Sequence, residues 1–156
     1  MVTVNPKQWG LDILLAEDDP HDIELFKIAL KQCGHVQSLN VVRDGEELID
    51  YLQGKPPFVG RRRVPPTVIF MDLKMPKLNG FDVLRWLKKH PACGVIPTIM
   101  LSGSALEQDV RKAYQLGVNA FFNKPTHFGE LAEILELTFN FWSRCERPVV
   151  TVSVCA

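Results

Sequence analysis

Polar side chains follow four apolar runs of the sequence, each at the point where the run ends. These residues are Glu17, Asp18, Asp19, Asp72, Ser102 and Lys124. Neighbouring carboxylates repel one another and invite a hard divalent cation, whereas a hydroxyl and an ammonium can bind phosphate oxygens. The set therefore has the composition of a site for magnesium and phosphoryl chemistry.

Each of these residues also has an ordinary structural explanation when it is considered alone. Acidic residues that precede a helix can cap it and complement its dipole. Asp72 can begin a turn, and Ser102 and Lys124 can be solvated loop side chains. The hypothesis of a site rests on the conjunction, because ligands bind outside the carboxyl ends of the strands in an open parallel sheet.

The elements that must position these residues follow from the pattern of apolar runs. Such runs alternate with amphipathic stretches, which predicts repeated β-α units and a mostly parallel sheet. Strands are predicted at 11–19, 38–42, 67–72, 97–102 and 119–124, and helices at 20–33, 45–53, 80–89, 104–116 and 128–144. Asp19 suits the N-cap of the first helix, and Ser104 with Glu107 matches a capping box for the fourth.

Composition narrows the class of protein. The chain has 156 residues, of which 46% are hydrophobic, so it is long enough for one domain with a substantial core. Acidic and basic residues number 18 each, so no overall field favours a nucleic acid or a membrane as partner. The four cysteines form no C-x-x-C pair, which argues against zinc and favours reduced thiols.

The ends of the chain carry no targeting signal that the sequence reveals. The N-terminus lacks the apolar run of a signal peptide, and no apolar segment approaches the ~18 residues of a membrane span. We therefore expect a cytoplasmic protein with one domain at 10–147, an N-terminal extension at 1–9 and a C-terminal tail at 148–156.

The motifs at the strand ends resemble those of the receiver domain of two-component response regulators. That family is marked by an acidic pair after the first strand, by D-x-x-M-P-x-x-x-G (here Asp72 to Gly80), by Ser or Thr after the fourth strand and by K-P after the fifth. The resemblance covers residues 10–145. It implies a flavodoxin-like α/β fold, in which a doubly wound five-stranded parallel sheet of order 2-1-3-4-5 carries helices on both faces.

The resemblance also implies a metal site and a phosphoacceptor. Asp72 would accept a phosphoryl group from a histidine kinase, and Mg²⁺ would be bound by Asp18, Asp72 and the backbone carbonyl of Lys74. Glu17 would bind the metal directly or through water. Magnesium suits this role because it takes few protein carboxylates, keeps several waters and leaves positions for a phosphoryl group.

Three further positions take their roles from the same resemblance. Ser102 and Lys124 would bind phosphoryl oxygens, and Ser102 with Phe121 would form the switch. The Lys124–Pro125 peptide bond would be cis. Asn79, Ser102 and Thr126 depart mildly from the commonest family pattern, but none of these departures removes a functional atom.

Two other functions compete with a phosphorylated signalling protein that is not an enzyme. A magnesium-dependent phosphatase also uses an aspartate nucleophile at a strand end, but that class has a second aspartate where this chain has Lys74. An interaction module that needs no phosphorylation would not require the acidic residues, Ser102 and Lys124. No residues remain for a DNA-binding module, so we expect a single-domain regulator that signals by altered protein binding.

Two features lie beyond the shared motifs. The insertion 54–66 carries Arg61, Arg62 and Arg63, and it is either a solvated loop or a partner contact. With a last helix that ends in "FNFW", it resembles the small regulators of cyanobacterial phytochrome-type histidine kinases, which implies a phytochrome-type photoreceptor as partner. The tail 148–156 could pair with "MVTV", pack in a dimer or be disordered.

The last predicted helix has more apolar residues than one core stripe can use. The excess residues are Leu137, Phe139, Phe141 and Trp142, of which the last three are predicted at a partner interface, because exposed apolar surface of this kind marks a partner. We expect a homodimer through the face of the fourth helix, fifth strand and fifth helix (the α4-β5-α5 face). The alternative is a longer core contact under the N-terminal segment.

Overall fold

Strands and helices follow one another along the chain in the computed structural model, which describes residues 10–58, 65–148 and 150. The strands are β1 (Leu11–Ala16), β2 (Val36–Val42), β3 (Val68–Met71), β4 (Thr98–Ser102) and β5 (Ala120–Asn123). The helices are α1 (Pro20–Leu30), α2 (Gly45–Gln53), α3 (Gly80–Lys89), α4 (Pro91–Gly94), α5 (Glu107–Gln115) and α6 (Phe128–Arg144). The short helix α4 was not predicted, so the fourth and fifth predicted helices are α5 and α6.

The five strands form one parallel sheet in the order β2-β1-β3-β4-β5. The predicted fold is confirmed. The chain runs from β1 outward to β2 and then returns to β3 on the other side of β1, so the order reverses between β1 and β3. The carboxyl ends of these two strands are where a doubly wound sheet binds ligands.

Each face of the sheet has its own core, because successive side chains of a strand point to opposite faces. In β1, Leu14 and Ala16 belong to one hydrophobic cluster, and Ile13 and Leu15 belong to the other. Helices α2, α3 and α5 cover the first face, whereas α1 and α6 cover the second. With both faces covered, the inner strands β1, β3 and β4 are mostly apolar and fully or almost fully buried, whereas the edge strand β2 carries polar residues along its length.

Local sequence signals predicted the N-cap of α1 correctly but not that of α5. Asp19 caps α1, with its Oδ1 accepting a hydrogen bond from the His21 backbone N at 2.8 Å. The predicted capping box of Ser104 and Glu107 is wrong, because α5 begins at Glu107 and its N-cap, Leu106, makes no side-chain cap. The Ser104 backbone N instead donates to Ser102 Oγ at 3.3 Å, which ties this loop to the end of β4.

The three residues predicted at a dimer interface occupy different environments on α6. Phe139 is only 1% exposed, and its ring centroid lies 5.9 Å from that of Phe70 in the second core. Its assignment to an interface is therefore wrong, since its side chain is already used by the subunit's own core. Trp142 is half-buried against the same cluster, whereas Phe141 is 61% exposed.

The insertion and the tail contact the first core where the structure describes them. Phe58 is buried, with its ring 5.2 Å from that of Tyr51, and Val150 packs against the cluster. The predictions for residues 1–9, for Arg61 to Arg63 and for most of the tail lie outside the described residues.

The cysteines differ from one another in redox state. Cys33 and Cys145 are free, whereas the fully buried Cys93 is disulfide-bonded. The expectation of reduced thiols is therefore wrong at Cys93, and Cys155 lies outside the described residues. Within the described part of the chain, none of the helices has the length and apolar character needed to cross a membrane.

Candidate functional site

Three carboxylates meet where β1 and β3 end. Ala16 pairs with Met71 in the sheet register, and the Asp72 backbone N donates to the Ala16 carbonyl at 3.1 Å, so the next residues of both strands emerge side by side. Oxygen atoms of Glu17, Asp18 and Asp72 all lie within 4.8 Å of one another. Parallel pairing thus explains why a buried strand ends in an aspartate.

These carboxylates differ in burial and in hydrogen bonding. Glu17 is 4% exposed and Asp72 is 9% exposed, whereas Asp18 is open to solvent. Glu17 Oε1 accepts from the Asp19 backbone N at 3.1 Å, and Asp72 Oδ1 accepts from the Lys74 backbone N at 3.3 Å. Two acids are therefore held by the fold, and the third faces the medium from which a cation would arrive.

Lys124 places its ammonium against this cluster from the end of β5. Its Nζ donates to Glu17 Oε2 at 2.6 Å, to Asp22 Oδ2 at 2.8 Å and to Asp72 Oδ2 at 2.9 Å. An ammonium has three donors, so each is used on a carboxylate. Asp22 was missed by sequence reasoning. Its only signal is its place in the first turn of α1, where an acid is expected for the dipole alone.

The electrostatics of the site are those of buried acids compensated by one cation. Burial raises the pKa of Glu17, its bonds and attraction to Lys124 oppose this shift, and the charge of Asp72 adds to it. Burial alone would lower the pKa of Lys124, but hydrogen bonds to Asp22, Glu17 and Asp72 outweigh it and the pKa is raised. Lys124 thus remains an ammonium across the physiological pH range.

The Lys124–Pro125 peptide bond is not cis, so that prediction is wrong; among the described residues the cis bond is Pro56–Pro57. The Lys124 backbone N donates to the Ser102 carbonyl at 2.8 Å, which continues the β4–β5 pairing by one residue. From this position the Lys124 side chain reaches all three acids.

Ser102 and Phe121 lie on neighbouring strands near the cluster. Ser102 is 1% exposed and ends β4, and Phe121, which pairs with Met100 in register, is half-buried against the first core. The Phe121 backbone N donates to the Tyr114 hydroxyl at 3.2 Å, which links β5 to α5. Ser102 is therefore at the same sheet edge as the carboxylates, and Phe121 lies two positions back along the sheet.

The loop 72–79, which carries Lys74, is fixed against α2. The Gly45 backbone N donates to the Leu78 carbonyl at 3.2 Å, and Lys77 Nζ lies 3.5 Å from Asp44 Oδ2. The outer side of this loop borders an open cleft of about 600 Å³. Its walls are Asp18, Leu73, Lys74, Met75, Pro76, Asn79, Phe81 and Asp109. A ligand can therefore approach the carboxylates from solvent beside Asp18.

Residues 13–136 match the family described as the response regulator receiver domain. The chain belongs to this family. Phosphotransfer from a histidine kinase is the general function of response regulator receivers, which are signalling proteins. The strand-end residues by which the sequence resembles a receiver domain thus lie together at the carboxyl edge of the sheet.

Two curated relatives are equally similar to this receiver domain. One is the probable methanogenesis regulatory protein FilR2 of Methanothrix harundinacea, at 32% identity over 130 residues, which is 83% of this chain and 82% of that protein. The other is the response regulator Rcp1 of Synechocystis sp., also at 32% over 130 residues, which is 83% of this chain and 87% of Rcp1.

Solved structures give the same picture. The phosphorylated cyanobacterial phytochrome response regulator RcpA matches with a TM-score of 0.80 and 32% identity, over 90% of this chain and 99% of RcpA. The Mn²⁺-bound form of Rcp1 matches with a TM-score of 0.79 and 31% identity, over 89% of this chain and 99% of Rcp1. The predicted similarity to cyanobacterial phytochrome regulators is confirmed.

The carboxylate cluster of this receiver domain could hold a divalent metal ion. Its donors are carboxylate oxygens, which hard cations such as Mg²⁺ and Mn²⁺ prefer. The Lys124 ammonium contacts two of the three acids, Glu17 and Asp72, and Asp18 adds further negative charge. The donor set and its charge therefore fit a divalent cation.

Proposed function

We propose that this receiver domain accepts a phosphoryl group on Asp72 from a histidine kinase in a Mg²⁺-dependent reaction, and that it signals by altered protein binding. The observation that carries the proposal is the contact of Lys124 Nζ with Asp72 Oδ2 at 2.9 Å inside a cluster of acids. A nucleophilic carboxylate beside a fixed ammonium and a cation site suits the transfer of an anionic group.

The chain's own residues supply the nucleophile and the groups that bind the phosphoryl oxygens. An Asp72 carboxylate oxygen attacks phosphorus, the bond from phosphorus to the donor's histidine nitrogen breaks, and that nitrogen keeps the electron pair. Lys124 donates to one phosphoryl oxygen, and the hydroxyl hydrogen of Ser102 can donate to another. The product is an acyl phosphate, in which Asp72 no longer carries a carboxylate charge.

Mg²⁺ would be held by Asp18, Asp72, the Lys74 carbonyl and Glu17, directly or through water, and would neutralise charge on the transferring oxygens. Asp18 and Lys74 line the open cleft, which supports their assignment as the solvent-facing ligands. Burial is the main cause of the raised pKa of Glu17. A bound cation would stabilise the Glu17 carboxylate and would therefore lower this pKa.

We assign the switch to Ser102 and Phe121. Ser102 lies at the end of β4, and the Phe121 backbone is hydrogen-bonded to Tyr114 of α5. Movement of Ser102 toward a phosphoryl group would therefore affect a segment that is connected to the surface of α5. Tyr114 is 50% exposed, so a change there would be visible to a partner protein.

A phosphotransfer assay tests the phosphoacceptor. With a phosphorylated histidine kinase or acetyl phosphate, wild type should be labelled in Mg²⁺ and not in EDTA, and Asp72→Asn should not be labelled. Asp50→Asn is the matched control, because Asp50 lies in α2 and pairs with Lys55. Equal labelling of Asp72→Asn and wild type would contradict the proposal.

The proposed kinase is a phytochrome-type photoreceptor. The support is the similarity to Rcp1 and RcpA. Because the chain is equally identical to FilR2, which is not named as a phytochrome regulator, the pairing requires a direct test. Phosphotransfer rates from a phytochrome kinase and from an unrelated histidine kinase should be compared at equal concentrations. A preference of at least about tenfold, or 1.4 kcal/mol, is expected; equal rates would rule the pairing out.

We also propose a homodimer through the face formed by α5, β5 and α6. Leu137 and Phe141 lie one turn apart on α6 and are 63% and 61% exposed. In sedimentation, wild type should dimerise at roughly tens of micromolar, since the costs of association offset much of the gain from a small apolar area. The Leu137→Ser, Phe141→Ser double variant should be monomeric. Val95→Ser, an exposed apolar residue elsewhere, is the control. A monomeric wild type, or a dimeric double variant, excludes the interface.

We also propose that the protein acts in the cytoplasm, where a histidine kinase has its ATP. The disulfide of Cys93 is the observation that opposes this placement, because disulfides are rare in reducing compartments. Cell fractionation should recover the protein together with cytoplasmic marker proteins. Recovery with secreted proteins instead would contradict the cytoplasmic assignment.

A further inference from the structure

Asp22 is an acid of the site that belongs neither to the metal-binding cluster nor to the motifs of the sequence. It lies in the first turn of α1, and its Oδ2 accepts from Lys124 Nζ at 2.8 Å. The carboxylates that could hold a metal together are Glu17, Asp18 and Asp72, and Asp22 is not among them. Of the three partners of the ammonium, Asp22 alone is therefore not a candidate metal ligand.

This difference matters once a cation binds. A divalent cation on Glu17 and Asp72 takes up much of their negative charge, so their attraction for the Lys124 ammonium falls. Asp22 keeps its charge. Its side chain is 34% exposed and that of Lys124 is 22% exposed, so their attraction is only partly screened by water.

Among the described residues that line the cavity beside the ammonium, none is an acid other than its three present partners. Lys124 and Asp22 both line a cavity of about 50 Å³ between the sheet, α1 and α6. Its other polar walls are Glu17 and Asp72, and the remaining walls are apolar: Leu15, Leu25, Phe26, Met71, Leu101, Pro125 and Leu131. An ammonium without a carboxylate partner would be poorly solvated on this side.

We propose that Asp22 is a positioning residue that anchors the Lys124 ammonium beside Asp72 when a cation occupies the carboxylate cluster. The inference rests on the proposed function, because its purpose is to keep a donor in place for an incoming phosphoryl oxygen. It also gives α1 a direct connection to the phosphorylation site. Donors that must act on a transferring group work best when they are held before the reaction.

The first test observes the ammonium itself. In Mg²⁺-saturated protein, the side-chain ammonium resonance of Lys124 should be visible by ¹H–¹⁵N NMR in wild type and in Asp22→Glu, because a held ammonium exchanges its protons slowly. It should be lost in Asp22→Asn. Glu24→Gln is the matched control, since Glu24 lies on α1 and pairs with Lys27. Persistence of the resonance in Asp22→Asn overturns the inference.

The second test measures the consequence for phosphorylation. With acetyl phosphate at saturating Mg²⁺, Asp22→Asn should be labelled about tenfold more slowly than wild type, and Asp22→Glu should recover most of the rate. In a Lys124→Met background, Asp22→Asn should add no further loss, because the two residues act as one unit. An equal loss in both backgrounds overturns the inference.

The two tests separate the inference from the proposed function. If wild type is not labelled at all, the proposed function fails, and the NMR result still decides whether Asp22 anchors Lys124. If labelling of wild type depends on Asp72 but Asp22→Asn retains both the resonance and the rate, the anchoring role fails alone.

Discussion

Lys124 Nζ lies 2.9 Å from Asp72 Oδ2, although 52 residues separate the two along the chain. The contact joins the end of β5 to the end of β3 across the width of β4. Neither side chain could be placed against the other by local structure, so the parallel sheet is what creates the pair. Its energetic and functional consequences can be measured.

Removal of Lys124 should destabilise the protein in the absence of metal. Lys124→Met leaves the buried Glu17 and Asp72 without their compensating cation, at a cost of about 3 kcal/mol in the free energy of unfolding. Mg²⁺ should recover part of this loss, because a ligand that binds only the folded state stabilises it. Urea denaturation in EDTA and in millimolar Mg²⁺ measures both effects; equal stability of wild type and variant in EDTA would contradict them.

The unfolding free energy should carry a pH dependence that comes from Glu17. Burial raises its pKa in the folded state above the usual 4.5, so the folded state binds more protons than the unfolded state between these values. The stabilisation is therefore fully present below pH 4.5 and is lost as the pH rises through the folded-state pKa. In EDTA, wild type should lose stability relative to Glu17→Gln over this interval, and parallel profiles would disprove the shift.

Asp18 and Glu17 should contribute unequally to metal binding. Asp18 is exposed beside the open cleft and is proposed as a direct ligand, so Asp18→Asn should raise the Mg²⁺ dissociation constant at least about tenfold. Glu17→Gln should raise it less, because Glu17 is already engaged by Lys124 and can act through water. Isothermal titration calorimetry decides the order, and equal losses would contradict the two roles.

A methyl group at Gly45 should displace the loop 72–79, which contains the proposed phosphoacceptor Asp72. A Cβ there would collide with the Leu78 carbonyl oxygen, and the backbone would have to move to admit it. Gly45→Ala should therefore cost about 2 kcal/mol or more and weaken Mg²⁺ binding through Lys74. Gly129→Ala, where nothing lies within 4 Å, is the control and should not destabilise. Unchanged Mg²⁺ affinity in Gly45→Ala would show that the loop is not held by this contact.

The sequence by itself determined the sheet and the acids that it carries. Short continuous apolar runs such as 68–71, bounded by turn residues, favour strands buried on both faces, and the amphipathic stretches between them favour helices on each side. The bounds of α2, α3 and α6 agree with those predicted because capping residues and apolar spacing act within one or two turns. Asp18, Asp72 and Lys124 could be selected because each ends a strand of such a sheet.

Tertiary structure alone decided the remaining features. Nothing in the sequence distinguishes Asp22 from an ordinary acid in the first turn of a helix. It becomes part of the site only because α1 packs close to the end of the Lys124 side chain. Phe139 and Phe141 have the same hydrophobicity and stand two residues apart, so composition could not separate them. The rotation of α6 turns Phe139 into the core beside Phe70 and leaves Phe141 in solvent, since residues two apart on a helix lie on different faces.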